Sequence, residues 1–264
     1  MNVTIIGGGN LGTALALGLK DAYPGHSITV TKRRVEQITY LMDQGIAVST
    51  DNIASVEKAE VVILAIKPYQ IAKVLKEIDE KLRGKIVVSL ATGVGLEEMR
   101  KSISSNCKIG RAMPNTALRL RQSLTCMVMA EGTEDNARQK VNSIFEAVGE
   151  VIWIDEKLFD AATVLGACGI AYVMRFIRGM MQGGIQIGFD ADTALKIASQ
   201  TVLGASTILK EEGTHPESEV DKVTTPRGCT IAGLNEMEHQ GFSSALIKGI
   251  QYSFAEIENM KQPE

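Results

Sequence analysis

The chain is 264 residues long, 45% hydrophobic and 22% charged, with a net charge of −3 at pH 7. That length holds two domains and a substantial core, and the slight negative balance argues against nucleic acid or an anionic membrane as the main partner. No leader pattern is expected before the first strand and no apolar run of about 18 residues, which points to a soluble, cytoplasmic protein.

Residues 2–6, Asn-Val-Thr-Ile-Ile, read as a short β-branched strand that runs directly into Gly7, Gly9 and Gly12. This is the spacing of a dinucleotide-binding turn. Gly7 suits the tight turn, Gly9 lets backbone approach a pyrophosphate, and Gly12 lets the following helix, expected over residues 13–20, pack close to the strand with its N-terminus toward the phosphates. A Gly-rich strand-to-helix turn without a ligand is the plainer alternative.

A second strand is expected over residues 27–31, and an acidic residue near its end would bind the ribose of NAD. The chain instead has Thr31, Lys32, Arg33 and Arg34. A hydroxyl and three cations suit a 2′-phosphate, since guanidinium forks match phosphate oxygens, so NADP(H) is expected in preference to NAD(H). An ordinary solvated basic turn is the alternative.

Strand and helix then alternate as in a doubly wound, mostly parallel sheet. A polar helix is expected over 35–44, a strand over 46–49, and a uniformly apolar, doubly buried strand over 61–66 that ends at Lys67-Pro68. Next come a helix over 71–82, a strand over 86–90 and the turn Ala91-Thr92-Gly93. A helix over 96–102 and a strand over 108–111 lead to Ala112-Met113-Pro114-Asn115. A strand, helix and strand over 124–129, 134–147 and 150–154 close an α/β Rossmann domain of residues 1–155.

From Glu156 onward the apolar spacing is helical, which predicts an all-α domain over 156–264. Helices are expected over 158–187, 191–212, 231–240 and 243–260, with 261–264 frayed. The first is apolar almost all round, including Met174, Phe176, Ile177, Met180 and Met181, so it should be buried between its own domain and a partner subunit. Two glycines in its Leu165–Tyr172 stretch, Gly166 and Gly169, cost roughly 1 kcal/mol each against Ala, which implies close approach by a ligand or another helix. Farther on, Thr224-Thr225-Pro226-Arg227-Gly228-Cys229-Thr230 is a turn flowing into a helix start. Amides of Gly228, Cys229 and Thr230 there would bind a carboxylate or phosphate, with a plain capped helix as the alternative. The four cysteines, Cys107, Cys126, Cys168 and Cys229, show no metal-ligand or disulfide spacing, so reduced thiols and no metal are expected. His26, His215 and His239 stand in polar surroundings and read as surface residues.

Four stretches taken together resemble the pyrroline-5-carboxylate reductase family. They are residues 7–12, Ala65-Ile66-Lys67-Pro68, Arg111 to Thr116, and Val223 to Leu234. The resemblance covers nearly the whole chain in the right order. It implies a Rossmann domain followed by an all-helical dimerisation domain through which subunits interlock as homodimers, often within larger rings. The implied activity is reduction of a cyclic imino acid by NADPH in the last step of proline synthesis.

It also implies that Asn10, Leu11, Asn52, Ala65, Lys67, Pro68, Ala91, Met113 and Asn115 surround the dinucleotide, Lys67 having a surface strand-end lysine as its alternative reading. The Gly228, Cys229 and Thr230 amides would take the substrate carboxylate, and the Thr230 hydroxyl, the one catalytic assignment, would meet the ring nitrogen. Cys168 joins the substrate-binding set.

The chain departs from the family pattern at Gly166 to Ile170, where hydroxyls and a proline are customary, at Arg227 in place of glycine, and at Ala117 in place of proline. If φ at 227 is positive, Arg is strained there; equally, it adds a cation at the site. The alternatives are a divergent NADP-dependent imine or 3-hydroxyacid oxidoreductase and a non-catalytic NADP-binding paralogue. The long helix lacks the Lys-x-x-Asn pattern of the hydroxyacid group.

Overall fold

The computed structural model describes residues 1–259, so Met260 and the 261–264 tail lie outside the described residues. In chain order the first elements are β1 (Asn2–Ile6), α1 (Asn10–Ala22), β2 (Ser27–Thr31), a 3-10 helix (Val35–Gln44), β3 (Ala47–Ser49), α2 (Asn52–Glu57), β4 (Val61–Leu64), α3 (Ile71–Ile78) and β5 (Ile86–Ser89). There follow α4 (Leu96–Lys101), β6 (Lys108–Met113), β7 (Ser123–Met129), α5 (Asp135–Glu146) and β8 (Gly149–Trp153).

The eight strands form one sheet in the order β3-β2-β1-β4-β5-β6-β7-β8, parallel except where β7 runs against β6. This is the doubly wound order, with strand sequence reversing beside β1. Every residue of β4 and β5 is buried, because helices cover both faces. Val61, Ile63, Ile5 and Leu15 lie in one apolar cluster, while Val62, Leu64, Ile6 and Leu75 lie in the other. Each such side chain withdrawn from water contributes about 1.5–3 kcal/mol, which is why the apolar run is central strand over Val61–Leu64, two residues shorter than the expected 61–66.

Differences from the expected boundaries have local causes. The 35–44 segment is a 3-10 helix whose buried residues, Ile38 and Leu41, stand three apart, in step with three residues per turn. The helix after β4 ends at Ile78 and a 3-10 turn takes Asp79–Lys81. β6 continues to Met113 because β7 pairs with it through Ala112↔Met127 and Met113↔Cys126. Two short helices were not expected. α2 is capped by Asp51, whose carboxylate accepts from Ala54 N at 3.0 Å, and a later one begins at a proline.

The helical half comprises a 3-10 turn (Glu156–Leu158), α6 (Phe159–Ala162), a π-helical segment (Thr163–Cys168), α7 (Gly169–Gln186), α8 (Ala191–Glu212), α9 (Pro216–Lys222), α10 (Cys229–His239) and α11 (Phe242–Asn259). The single regular helix expected over 158–187 is thus interrupted by a π-helical turn. Contacts divide the chain into residues 1–168 with the end of α11 from Phe254, and Gly169–Ser253. This boundary lies past 155/156 because Phe159, Asp160, Thr163 and Val164 are buried within the first unit.

In the second unit α7 and α8 pair closely: a Cβ on Gly184 would stand 3.1 Å from that of Ala194. Phe176 packs on Phe242 with ring centroids 5.9 Å apart, and the Tyr172 hydroxyl meets Ser253 Oγ at 2.6 Å. Yet α7 has no buried residue, and Met174, Phe176, Ile197, Leu203 and Leu246 are all exposed. Within one chain the apolar faces of this helix thus stay open, and the expected cover includes a partner subunit. The expected lack of a long apolar stretch does not hold: among the described residues the helical run Glu156–Gln186, 31 residues, is long and apolar enough to cross a membrane by length and composition.

Candidate functional site

The β1–α1 turn is built from backbone. The N–H groups of Gly7 and Gly8 donate to Thr31 O at 3.0 and 2.9 Å, tying the turn to the end of β2. Gly7 has φ 116°, and a Cβ there would strike Ala65 O; a Cβ on Gly12 would strike Gly7 O. At Gly9 the same test meets nothing within 4 Å. The three glycines therefore do three different jobs: turn, open approach, close packing. Gly9 is the N-cap of α1 without a side-chain cap, and the first turn holds no acidic residue. The amides of Asn10, Leu11 and Gly12 have no carbonyl within the helix to receive them, so the helix end is suited to a pyrophosphate.

The other cofactor positions fall at the C-terminal ends of adjacent parallel strands. Arg33 and Arg34 follow β2, are exposed, and have no ion-pair partner among the described residues. Lys32 is half-buried along Gly8, whose Cβ would lie 3.2 Å from that of Lys32. Thr31 is buried, and its hydroxyl donates to Asn52 Oδ1 at 2.7 Å. Its proton is therefore committed inward. Asn52 Nδ2 in turn donates to Glu77 Oε1 at 3.1 Å, so Thr31 and Asn52 brace the end of β2.

Ala65 follows β4, and exposed Lys67 and Pro68 open the next 3-10 turn, where Lys67 N–H donates to Gln70 Oε1 at 3.3 Å. Ala91 is buried beyond β5, its N–H donating to Ser89 Oγ at 3.2 Å. Met113 ends β6, 5% exposed. Asn115 makes three hydrogen bonds: its N–H donates to Ser123 Oγ at 3.0 Å, Nδ2 donates to Gly166 O at 3.1 Å, and Oδ1 accepts from Ala117 N at 2.9 Å. It locks this loop to the π-helical turn. A Cβ at Gly166 would meet nothing within 4 Å, so packing within this chain does not require glycine there. Cys168 closes the π turn, half-buried, with burial pushing its thiol up.

In the second unit Thr225 to Gly228 form a turn closed by Gly228 N–H donating to Thr225 O at 2.9 Å. The Gly228 amide is thus used, and the expected three-amide anion site narrows to Cys229 and Thr230 at the start of α10. Both are exposed, and the helix has no side-chain cap and no acid in its first turn. Arg227 has φ 60°, the left-handed region that L side chains enter at a cost of about 1–3 kcal/mol.

His26 is half-buried, stacked on Tyr23 at 4.8 Å, with desolvation lowering its pKa; His215 Nδ1 accepts from Glu217 N at 3.2 Å. Among the described residues no three His, Cys, Asp or Glu side chains gather as a metal site. The sequence reading missed a charge cluster in which buried Arg111 and Asp160 meet part-exposed Glu156; the available signal was an arginine in the middle of a strand that is buried from Ile109 to Met113.

Residues 156–260 match the family described as Pyrroline-5-carboxylate reductase dimerisation, and residues 2–93 match NADP oxidoreductase coenzyme F420-dependent. The chain is 42% identical over 94% of its length to Pyrroline-5-carboxylate reductase 1 of Dictyostelium discoideum, of which it spans 48%. It is 37% identical over 96% of its length to Pyrroline-5-carboxylate reductase 2 of the same organism, of which it spans 90%. Among solved structures, a pyrroline-5-carboxylate reductase from Coxiella burnetii is similar with a TM-score of 0.90 and 29% identity, covering 99% of each chain. With its glycine turn, its unpaired basic strand end and its exposed helical half accounted for together, the chain belongs to the pyrroline-5-carboxylate reductase family.

Proposed function

We propose that this chain reduces the cyclic imine 1-pyrroline-5-carboxylate to L-proline with NADPH, the last step of proline biosynthesis. The observation that carries the cofactor half is the open face of Gly9 at an uncapped helix N-terminus, together with Arg33 and Arg34, exposed after β2 and without an ion-pair partner among the described residues. When bound, the reduced dinucleotide supplies a hydride for the imine carbon. Arg33 and Arg34 select the 2′-phosphate, and Asn10 and Leu11 amides meet the pyrophosphate. Ala65, Lys67, Pro68, Ala91 and Met113 line the rest.

The substrate is an anion with a basic ring nitrogen. Cys229 and Thr230 amides receive its carboxylate, with Cys168 beside the ring and the Thr230 hydroxyl at the nitrogen. A protonated imine accepts hydride at carbon without a strong acid next to it, so orientation and one hydroxyl suffice. That accords with a site built without histidine. The exposed apolar residues of α7, α8, α10 and α11 are covered by a second copy of the chain, giving a homodimer in the cytoplasm and, by further contacts, larger rings.

The test is NADPH oxidation by purified protein with pyrroline-5-carboxylate. A hydrogen bond to a charged group is worth about 1.5–3 kcal/mol, so Thr230→Ala should lower kcat/KM by about 10- to 100-fold. Wild-type protein that binds NADPH but turns over no cyclic imine would instead be a non-catalytic NADP-binding relative.

Arg227→Gly separates strain from recognition. Relief of the left-handed strain offsets the roughly 0.5–1 kcal/mol that glycine's greater freedom in the unfolded chain costs. Stability should hold or rise, while the substrate KM rises several-fold through loss of the cation. An unchanged KM would show that the guanidinium serves only solvent.

A further inference from the structure

We propose that Arg111 is a positioning residue for hydride transfer, holding in register three segments that border the nicotinamide end of the site. Arg111 lies in β6 and is 3% exposed. Its guanidinium carbon sits 3.9 Å from the centroid of the Phe159 ring. Nη1 donates to Glu156 Oε1 at 3.4 Å, and Nη2 is 3.6 Å from Asp160 Oδ1. Glu156 Oε1 also accepts from Leu96 N at 2.6 Å, at the start of α4.

One planar cation therefore joins three places. Through Glu156 it holds the loop from Ala91 to Leu96 that follows β5. Through Asp160 and Phe159 it holds α6, which runs directly into the π-helical turn. Through its own backbone it fixes β6 two residues before Met113. The Asn115 side chain closes the circuit by donating to Gly166 O within that turn. In a doubly wound sheet the nicotinamide half of the cofactor lies over the strands on this side of the switch point, so these are the segments whose separation sets the hydride-transfer geometry.

Stability does not explain the arrangement. Burial pulls the Arg111 pKa down, opposed by Asp160 and Glu156, and its Nε has no hydrogen-bond acceptor. A buried ion pair of this kind is no more stabilising than a well-packed apolar cluster of the same volume. What it supplies is direction, because the guanidinium fork has fixed geometry and addresses two carboxylates at once. This inference rests on the reductase reading above.

The test uses the intact protein. Arg111→Lys keeps the charge and removes the fork; Asp160→Asn removes one arm with little change in volume. In both, NADPH affinity measured by fluorescence should stay within about threefold, since the phosphate contacts are elsewhere. Substrate KM should change little and kcat should fall by about 10- to 100-fold, the scale of a misplaced reacting pair. In the cofactor-free proteins, amide exchange should quicken in residues 91–96 and 163–168 and not in β1 or β2. Wild-type turnover tests the reductase reading separately. Unaltered exchange in both segments, an unaltered kcat in a folded variant, or a fall in kcat matched by an equal loss of NADPH affinity would overturn the assignment.

Discussion

Gly9→Ala is expected to abolish tight NADPH binding while leaving the melting temperature unchanged, and Gly12→Ala to lose both. The contrast comes from what each new methyl would meet. At Gly9 the backbone is extended, with φ −86° and ψ −174°, a conformation open to any residue, and nothing lies within 4 Å of a Cβ. The fold has no objection to alanine there; only a pyrophosphate would. At Gly12 the Cβ would collide with the Gly7 carbonyl oxygen and press on Ala65 Cβ at 3.2 Å. Both are held by main chain, so α1 must move bodily. Overpacking of this kind costs about 1–3 kcal/mol, a drop of several degrees in a chain of this size, and it displaces the Asn10 and Leu11 amides as well. The comparison is made by calorimetric melting alongside NADPH titration. A Gly9→Ala protein that binds NADPH as wild type does would place the pyrophosphate elsewhere.

The second large effect concerns cofactor choice. Arg33→Ala combined with Arg34→Ala should raise the NADPH dissociation constant by about 100-fold and leave NADH within about twofold. Charge-assisted hydrogen bonds contribute about 1.5–3 kcal/mol each, and exposed ones fall at the low end, so two together give about 3 kcal/mol. Both arginines are free to act because neither is drawn into an ion pair among the described residues. Lys32 is unsuited to the same test, since its stem packs along Gly8 and its removal would disturb the turn itself. Adding salt should weaken NADPH in the wild type far more than in the double variant. Equal losses for the two cofactors would mean that these cations only solvate the surface.

Much of the first unit was legible because its information is local. Strand β2 falls on the expected residues 27–31, and in the second unit α8 falls on 191–212, each bounded by a turn or cap that announces itself in sequence. The glycine spacing foretold the tight turn at Gly7 and the close packing at Gly12, and both are present, while Gly9 faces open space. Positive φ at Arg227, raised as a condition because Arg stands where the family pattern has glycine, is present. The short helices at Asn52 and Pro216 were not legible, since fewer than two turns carry no periodicity, although Asp51 and Pro216 were usable start signals.

By itself, then, the sequence determined the doubly wound half, the dinucleotide turn, the basic end of the second strand, the helical second half and, through four separated motifs, the family. Tertiary structure decided which polar groups remain free to act. Thr31 spends its proton on Asn52, twenty-one residues away; Asn115 spends its amide on Gly166, fifty-one away; and Arg111 finds its carboxylates forty-five residues and more along the chain. Local pattern encodes backbone conformation and burial period, which depend on near neighbours. Hydrogen-bonding capacity is allotted by whichever groups the fold brings within about 3 Å, and only the folded chain settles that allotment.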